Sequence, residues 1–227
     1  MQKLGHGEQA RFLAKVVFWG YVPAIVLWFA VLLFSRHRGM LFEYFVRDIF
    51  YVLKAPVYAG FFSNLGVFMF GSSAALCFAT AHLLGRAGSR ETGACLLHAG
   101  FLSLVLMLDD FFMLHEHVVP NVMHVSQYVL QAAEMLYTLF WFLRYRQTIA
   151  VTHDGVLFCA FGLFAISFGV DALEMSVSFH HTLEDGSKFL GILTWLIYFT
   201  QFCLAELSSR LALSSEAKSA IKSSLDV

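Results

Sequence analysis

Eight of the sixteen acidic residues in this chain fall in or at the edge of strongly apolar segments: Asp109, Asp110, Glu116, Glu134, Asp171, Glu174, Glu184 and Asp185. A carboxylate in hydrocarbon costs roughly 3 kcal/mol or more unless a partner, a proton or water relieves it, so acids in such segments mark function by default. Five histidines, His115, His117, His124, His180 and His181, sit around the same cluster, and Lys188 is the basic side chain nearest to it. Carboxylates and imidazoles delivered by facing helices are the ingredients of metal sites in helical bundles. An oxygen-rich set with some histidine suits Fe, Mn or Zn better than a soft metal.

These residue types together imply a pocket holding a divalent metal, with Asp109, Glu116, Glu134 and Asp171 as ligands. His117, His124 and His181 would add ligands or orient them, and Glu174 or Glu184 would act as acid or base. Asp110, Gln131, Asp185 and Lys188 complete the polar site. The chemistry expected of such a pocket is metal-assisted hydrolysis or oxidation of a lipid-like substrate. The Glu-x-x-His pairing of ferritin-like sites is absent; the nearest spacing is His181-x-x-Glu184, which is reversed.

Helical spacing orders these groups, because residues three, four or seven apart share a face. Asp109 and Glu116 are seven apart, as are Asp110 and His117. A second stripe runs His124, Gln127, Gln131, Glu134 and Thr138, and a third Ser167, Asp171, Glu174, Ser178 and His181. Glu184 and Lys188 open the last apolar segment at i, i+4. Lipid-facing helices do not tolerate such stripes, so the polar faces are expected to converge on one interior. At 1.5 Å per residue, Asp109 and Asp171 each lie roughly 10 Å from the outer end of their helix and Glu134 about 15–20 Å from its own.

The elements that must position these groups are set by composition. Of 227 residues 59% are hydrophobic and 14% charged, with mean hydropathy +0.69, well beyond the roughly 45–50% apolar usage of soluble domains. The fold expected is all-α, a polytopic membrane protein. Six stretches reach the length of about 20 apolar residues that a crossing needs, near 13–35, 56–84, 94–116, 121–143, 155–178 and 187–207. Pro56 and Pro120 stand at the starts of the second and fourth, where a missing N–H is harmless, and Pro23 should kink the first. Residues 40–54 mix aromatics with Glu43, Arg47, Asp48 and Lys54 and suit a helix lying in the interface. Residues 1–207 are expected to form one transmembrane helical domain, and the serine-rich tail 208–227 a frayed or disordered end.

Lys and Arg placement gives an orientation, because short loops rich in them stay cytoplasmic. Arg86 and Arg90, Arg144 and Arg146, and Arg210, Lys218 and Lys222 then place both termini in the cytoplasm, in an inner or plasma membrane. The loops beside the acid and histidine cluster face outward, while Arg36, Arg38, Arg47 and Lys54 dissent. With a net charge of −1 and no basic run, nucleic acid is not the expected partner; membrane lipid is, with other membrane subunits as a further candidate.

Other readings use the same residues. The acids form a structural polar network, a proton or cation path descending through Glu116, Asp109 and Glu134, or part of an accessory subunit in a larger complex. His82, His98 and His153 lie toward the other end and read as interfacial or hydrogen-bonded. The 25 phenylalanines read as lipid contact and packing, and Gly60, Asn64, Gly71 and Ala75 as a small-residue packing face. Cys77, Cys95, Cys159 and Cys203 are scattered through apolar segments and read as small hydrophobes rather than disulfide or metal ligands.

Overall fold

Long apolar runs become long helices. The computed structural model describes residues 11, 14–15, 17–46, 52–56, 58–172 and 180–225; for Gly20, Glu43, Val46, Ala172, His180, His181 and residues 214–225 it describes the backbone alone. Among the described residues the regular structure is helical, without strands. Five helical stretches are long and apolar enough to cross a membrane: Val17–His37, Phe61–Arg86, Arg90–Phe112, Asp154–Asp171 and Thr182–Leu213. They mark the chain as a membrane protein, because each satisfies its own backbone hydrogen bonds, as a segment in hydrocarbon must.

The chain divides into two compact units, residues 1–59 and residues 60–227. In the first, a π-helical turn Val17–Tyr21 leads into α1 (Val22–His37). Pro23, expected to kink the first span, lies in the first turn of α1, where its missing N–H costs the helix no bond. Nearly every side chain of this helix is exposed, Trp28 and Phe34 among them, and their rings meet Phe42 and Phe45 edge-on at 5.3 and 6.3 Å. The short helix α2 (Glu43–Val46) comes next. Residues 47–51 of the expected interfacial helix, with Arg47 and Asp48, lie outside the described residues.

The second unit carries α3 (Phe61–Arg86), α4 (Arg90–Phe112), α5 (Val119–Val122), α6 (Gln127–Arg144), α7 (Arg146–Ala150), α8 (Asp154–Ala172) and α9 (His180–Leu225). Gly88, at φ +82°, turns α3 back onto α4, and glycine adopts that conformation without strain. The pairs between helices fix their directions. Cys95 O accepts from Trp141 Nε1 at 3.0 Å and His98 Nδ1 meets the Tyr137 hydroxyl at 2.9 Å, so α6 runs antiparallel to α4. Trp195 Nε1 donates to Ser103 Oγ at 2.9 Å, Lys188 reaches Asp110 at 2.5 Å, and Arg210 bonds Ser89, so α9 is antiparallel to α4 as well.

The core sits where these helices meet. Trp141, Trp195, Tyr198 and Phe199 are fully buried, with Trp195 against Phe199 at 4.9 Å and against Trp141 at 6.1 Å. Each indole N–H has an acceptor, which a buried tryptophan requires. Between helices in a bilayer such packing and hydrogen bonding take the place of the hydrophobic drive. The buried face of α3 runs through Gly66, Phe70, Ser73, Cys77, Thr80 and Leu84. The expected small-residue face is therefore displaced: Gly60, Asn64 and Ala75 are exposed, and Gly71 alone of that set lies against α4, beside Met107.

A tighter approach occurs at Gly100, where a Cβ would stand 2.7 Å from the Phe78 ring. Gly100→Ala is expected to lower stability by about 1–3 kcal/mol, since the ring is wedged edge-on against Phe101 at 5.1 Å and must be displaced. Thermal unfolding in detergent checks this; an unchanged or raised midpoint would show that the ring moves freely.

The second span starts at Phe61 rather than 56 and the third runs Arg90–Phe112 rather than 94–116, and two further boundaries differ from expectation. The tail does not fray at Ser208: α9 continues to Leu225, a helix of 46 residues, through a stretch free of Gly and Pro. The segment expected to span from 121 begins as the short α5 and then breaks, with His124 at φ +56°, and the long helix α6 starts only at Gln127. Its polar residues keep α6 out of the set apolar enough to cross alone.

Candidate functional site

One cavity of about 550 Å³ lies in the second unit, and the helix directions explain its character. On α6 the lining includes Gln127, Gln131, Glu134, Thr138 and Phe142, spaced four, three, four and four, with Met135 and Leu139 beside them, so the face passes from polar to apolar along the helix. On α8 the order is reversed, Phe158, Phe161, Phe164 and Ala165, then Ser167, Phe168 and Asp171. The end of α4 contributes Asp109 and Asp110, the start of α9 Glu184 and Lys188, and Trp195 lies two turns further on. Because α4 is antiparallel to both α6 and α9, the charged groups arrive at one end and most of the rings line the rest.

Backbone geometry sets the polar end. Met113 closes α4 in the left-handed conformation at φ +50°, its N–H bonded to Asp109 O, and the chain continues as a π-helical turn, Leu114–Val118. That reversal brings His115 back over Asp109. The backbone N–H of His115 donates to Oδ1 at 2.9 Å, and its Nδ1 meets Oδ2 at 2.5 Å. His115 lies beyond the end of the spanning helix, and its pKa is raised by the hydrogen bond to Asp109 while burial pulls the other way. Its Nε2 is 3.6 Å from the exposed Glu116 carboxylate. Across the cavity, Lys188 Nζ donates to Asp110 Oδ1 at 2.5 Å.

Among the described residues two buried acceptors on the cavity face of α6 have no donor, Gln131 Oε1 and Glu134 Oε1, which stand one turn apart. Buried polar groups are normally bonded, so a pair of orphaned oxygens on one wall points to a species with positive charge or donors.

Of the residues expected at the site, Asp109, Asp110, Glu116, Gln131, Glu134, Asp171, Glu184 and Lys188 line this cavity. His117, His124 and Asp185 do not: all three are exposed and none lines it. The π-helical turn changes the phase after Met113, so the seven-residue pairing of Asp110 with His117 is lost. His124 precedes α6 and cannot share its stripe. Glu174 and the side chain of His181 lie outside the described residues. Among the described residues no three His, Cys, Asp or Glu side chains stand together in a group that could hold a metal ion. Asp109 and Asp110, two of the acids in the cluster, are committed to His115 and Lys188 instead.

The late start of α6 makes Glu134 shallower than expected. It lies seven residues into its helix, about 10 Å, and Asp109 lies three residues, about 5 Å, from the end of α4.

The family model described as a domain of unknown function, DUF8692, matches residues 21–202. The chain belongs to the DUF8692 family. No curated protein and no solved structure matches it. The DUF8692 match takes in the whole cavity, from Phe70 to Trp195.

Sequence reasoning misses two parts of the DUF8692 cavity. It leaves His115 among its neighbours, since Met113-Leu114 after two aspartates gives no local signal for a left-handed turn. It also assigns the aromatic wall to lipid contact. The signal for that wall lies in register: Phe168 and Phe164 step back from Asp171 by three and seven residues and share its face, and Phe161 and Phe158 continue the row at three-residue steps, drifting round the helix.

Proposed function

We propose that this protein binds a lipid-like molecule in the cavity, with the head group among the carboxylates, His115 and Lys188, and the hydrocarbon along the phenylalanines of α8. The observation that carries this reading is the polarity gradient repeated on α6 and α8, since a water-filled polar site has no use for five aromatic residues at its far end. In the same reading α6 is the sixth crossing, its polar face covered by the bundle, and both termini are cytoplasmic. Support for that orientation comes from Arg144 beside Glu91 at 3.8 Å and Arg210 bonded to Ser89, which gather the arginine-bearing segments at the end opposite the carboxylates.

The protein would act on the head group by acid–base chemistry. A carboxylate accepts only, so Asp109 fixes the proton of His115 on Nδ1 and leaves Nε2 to take or give a proton toward the cavity. Fe, Mn or Zn bound at the same place is the second reading. It is favoured by the buried oxygens of Gln131 and Glu134, which suit a hard cation.

Protein extracted in native nanodiscs and then exchanged into detergent should retain about one amphiphile per chain by mass spectrometry. Ala165→Trp should release it, because the indole enters the space between the aromatic walls. A wild type that carries no amphiphile, or a variant that keeps the same load, removes the lipid reading. Stoichiometric metal without amphiphile would put the second reading in its place.

A further inference from the structure

The polar end of the cavity is short of positive charge. Among the described residues six carboxylates line it, Asp109, Asp110, Glu116, Glu134, Asp171 and Glu184, against two basic side chains, His115 and Lys188. Both bases are already placed, His115 on Asp109 and Lys188 on Asp110. A head group carrying its own negative charge would enter a site where acids outnumber bases by four even when both bases are charged. The repulsion would be strong because the surrounding walls are apolar.

The orphaned oxygens add direction to this imbalance. Gln131 Oε1 and Glu134 Oε1 are acceptors, buried and side by side on one face of α6. Acceptors without donors are satisfied by a group that donates, and a protonated amine brings both the donors and the charge. Below them the cavity is walled by Phe142, Phe158 and Phe161, whose rings interlock at 5.6–6.5 Å, and by Trp195 at 6.1 Å from Phe161. Glu134 and Phe142 are eight residues apart on one helix, about 12 Å, which gives the length of chain that can lie between the charged end and the rings.

We infer that the occupant of the cavity is a cationic amphiphile, a single-chain molecule with a protonated amine head seated against Gln131 and Glu134 and its hydrocarbon tail along the phenylalanine wall. This rests on the lipid-binding reading above and narrows it to one head-group chemistry. It also assigns Gln131 and Glu134 as the residues that discriminate among heads.

The test compares dodecylamine, dodecanol and dodecanoate at concentrations below micelle formation, on the full chain in nanodiscs of zwitterionic lipid, read by calorimetric titration. The amine is expected to bind at least tenfold more tightly than the alcohol, and the carboxylate more weakly than either. Glu134→Gln, which keeps the shape and removes the charge, should weaken the amine by fivefold or more and the alcohol by less, so that the preference for the amine shrinks. Alcohol or carboxylate binding as tightly as the amine overturns the inference and leaves the lipid-binding reading in place. So does a Glu134→Gln protein that holds the amine as well as wild type. Failure of all three probes to bind wild-type protein overturns both. Because the wild-type comparison needs no substitution, the inference stays testable if the variant does not fold.

Discussion

Lys188→Met is expected to destabilise the protein by about 3 kcal/mol, the low end of the loss incurred when one partner of a buried ion pair is removed. The Asp110 side chain is 9% exposed and Lys188 supplies the charge that meets it, at 2.5 Å. Without the ammonium, Asp110 must either hold an uncompensated charge among apolar neighbours or take up a proton. The low end applies because Lys188 itself is 37% exposed, so part of its attraction to Asp110 is already screened. Asp110→Asn in the same chain should restore most of the loss, since no charge is then left buried. Chemical unfolding of wild type, both single variants and the double variant gives the coupling directly. Additive losses would mean that the two side chains do not stabilise each other.

Glu134→Leu is expected to do the opposite, raising stability by about 1–3 kcal/mol while abolishing amphiphile binding. A buried acceptor with no donor carries its desolvation penalty in full, and an apolar side chain of similar length removes it. Stability is exchanged for function at positions of this kind. Unfolding in detergent, with the bound load measured on the same preparation, reports both effects. A protein that loses stability instead would make Glu134 a structural member of the polar network, and its place in the binding site would have to be given up.

How far the sequence reveals these features depends on whether local rules or tertiary ones govern them. Hydropathy alone marks Phe61–Arg86, Arg90–Phe112 and Asp154–Asp171, because a crossing helix is specified by its own residues. The stripe from Gln127 to Thr138 is legible for the same reason: one helix carries it. His124 looks like its first member only because the break before Gln127 depends on a left-handed residue that side-chain spacing does not announce. His117 and His115 are two positions apart, and which of them meets the aspartates is decided by Met113, whose conformation belongs to the folded turn. The phenylalanines of α8 are visible but ambiguous, since a ring facing lipid and a ring facing a cavity obey the same hydropathy. Only the neighbouring helix distinguishes them.

The uneven surface of α6 also bears on how the protein is made. A helix inserting alone must place Gln127, Gln131 and Glu134 in contact with lipid, and an acid near the centre of an isolated segment carries a penalty of roughly 2.5–3.5 kcal/mol at the translocon. The helices that cover those groups lie on both sides of it in the chain: α4 is synthesised before α6, and α9, which supplies Lys188 and Trp195, emerges after it. With α6 as the proposed sixth crossing, its stable integration would wait until α9 has been threaded. On that reading α9 is the element that locks α6 into the bilayer, and a chain truncated before residue 180, without Lys188 and Trp195, is expected to be degraded rather than to accumulate as a smaller version of the same protein.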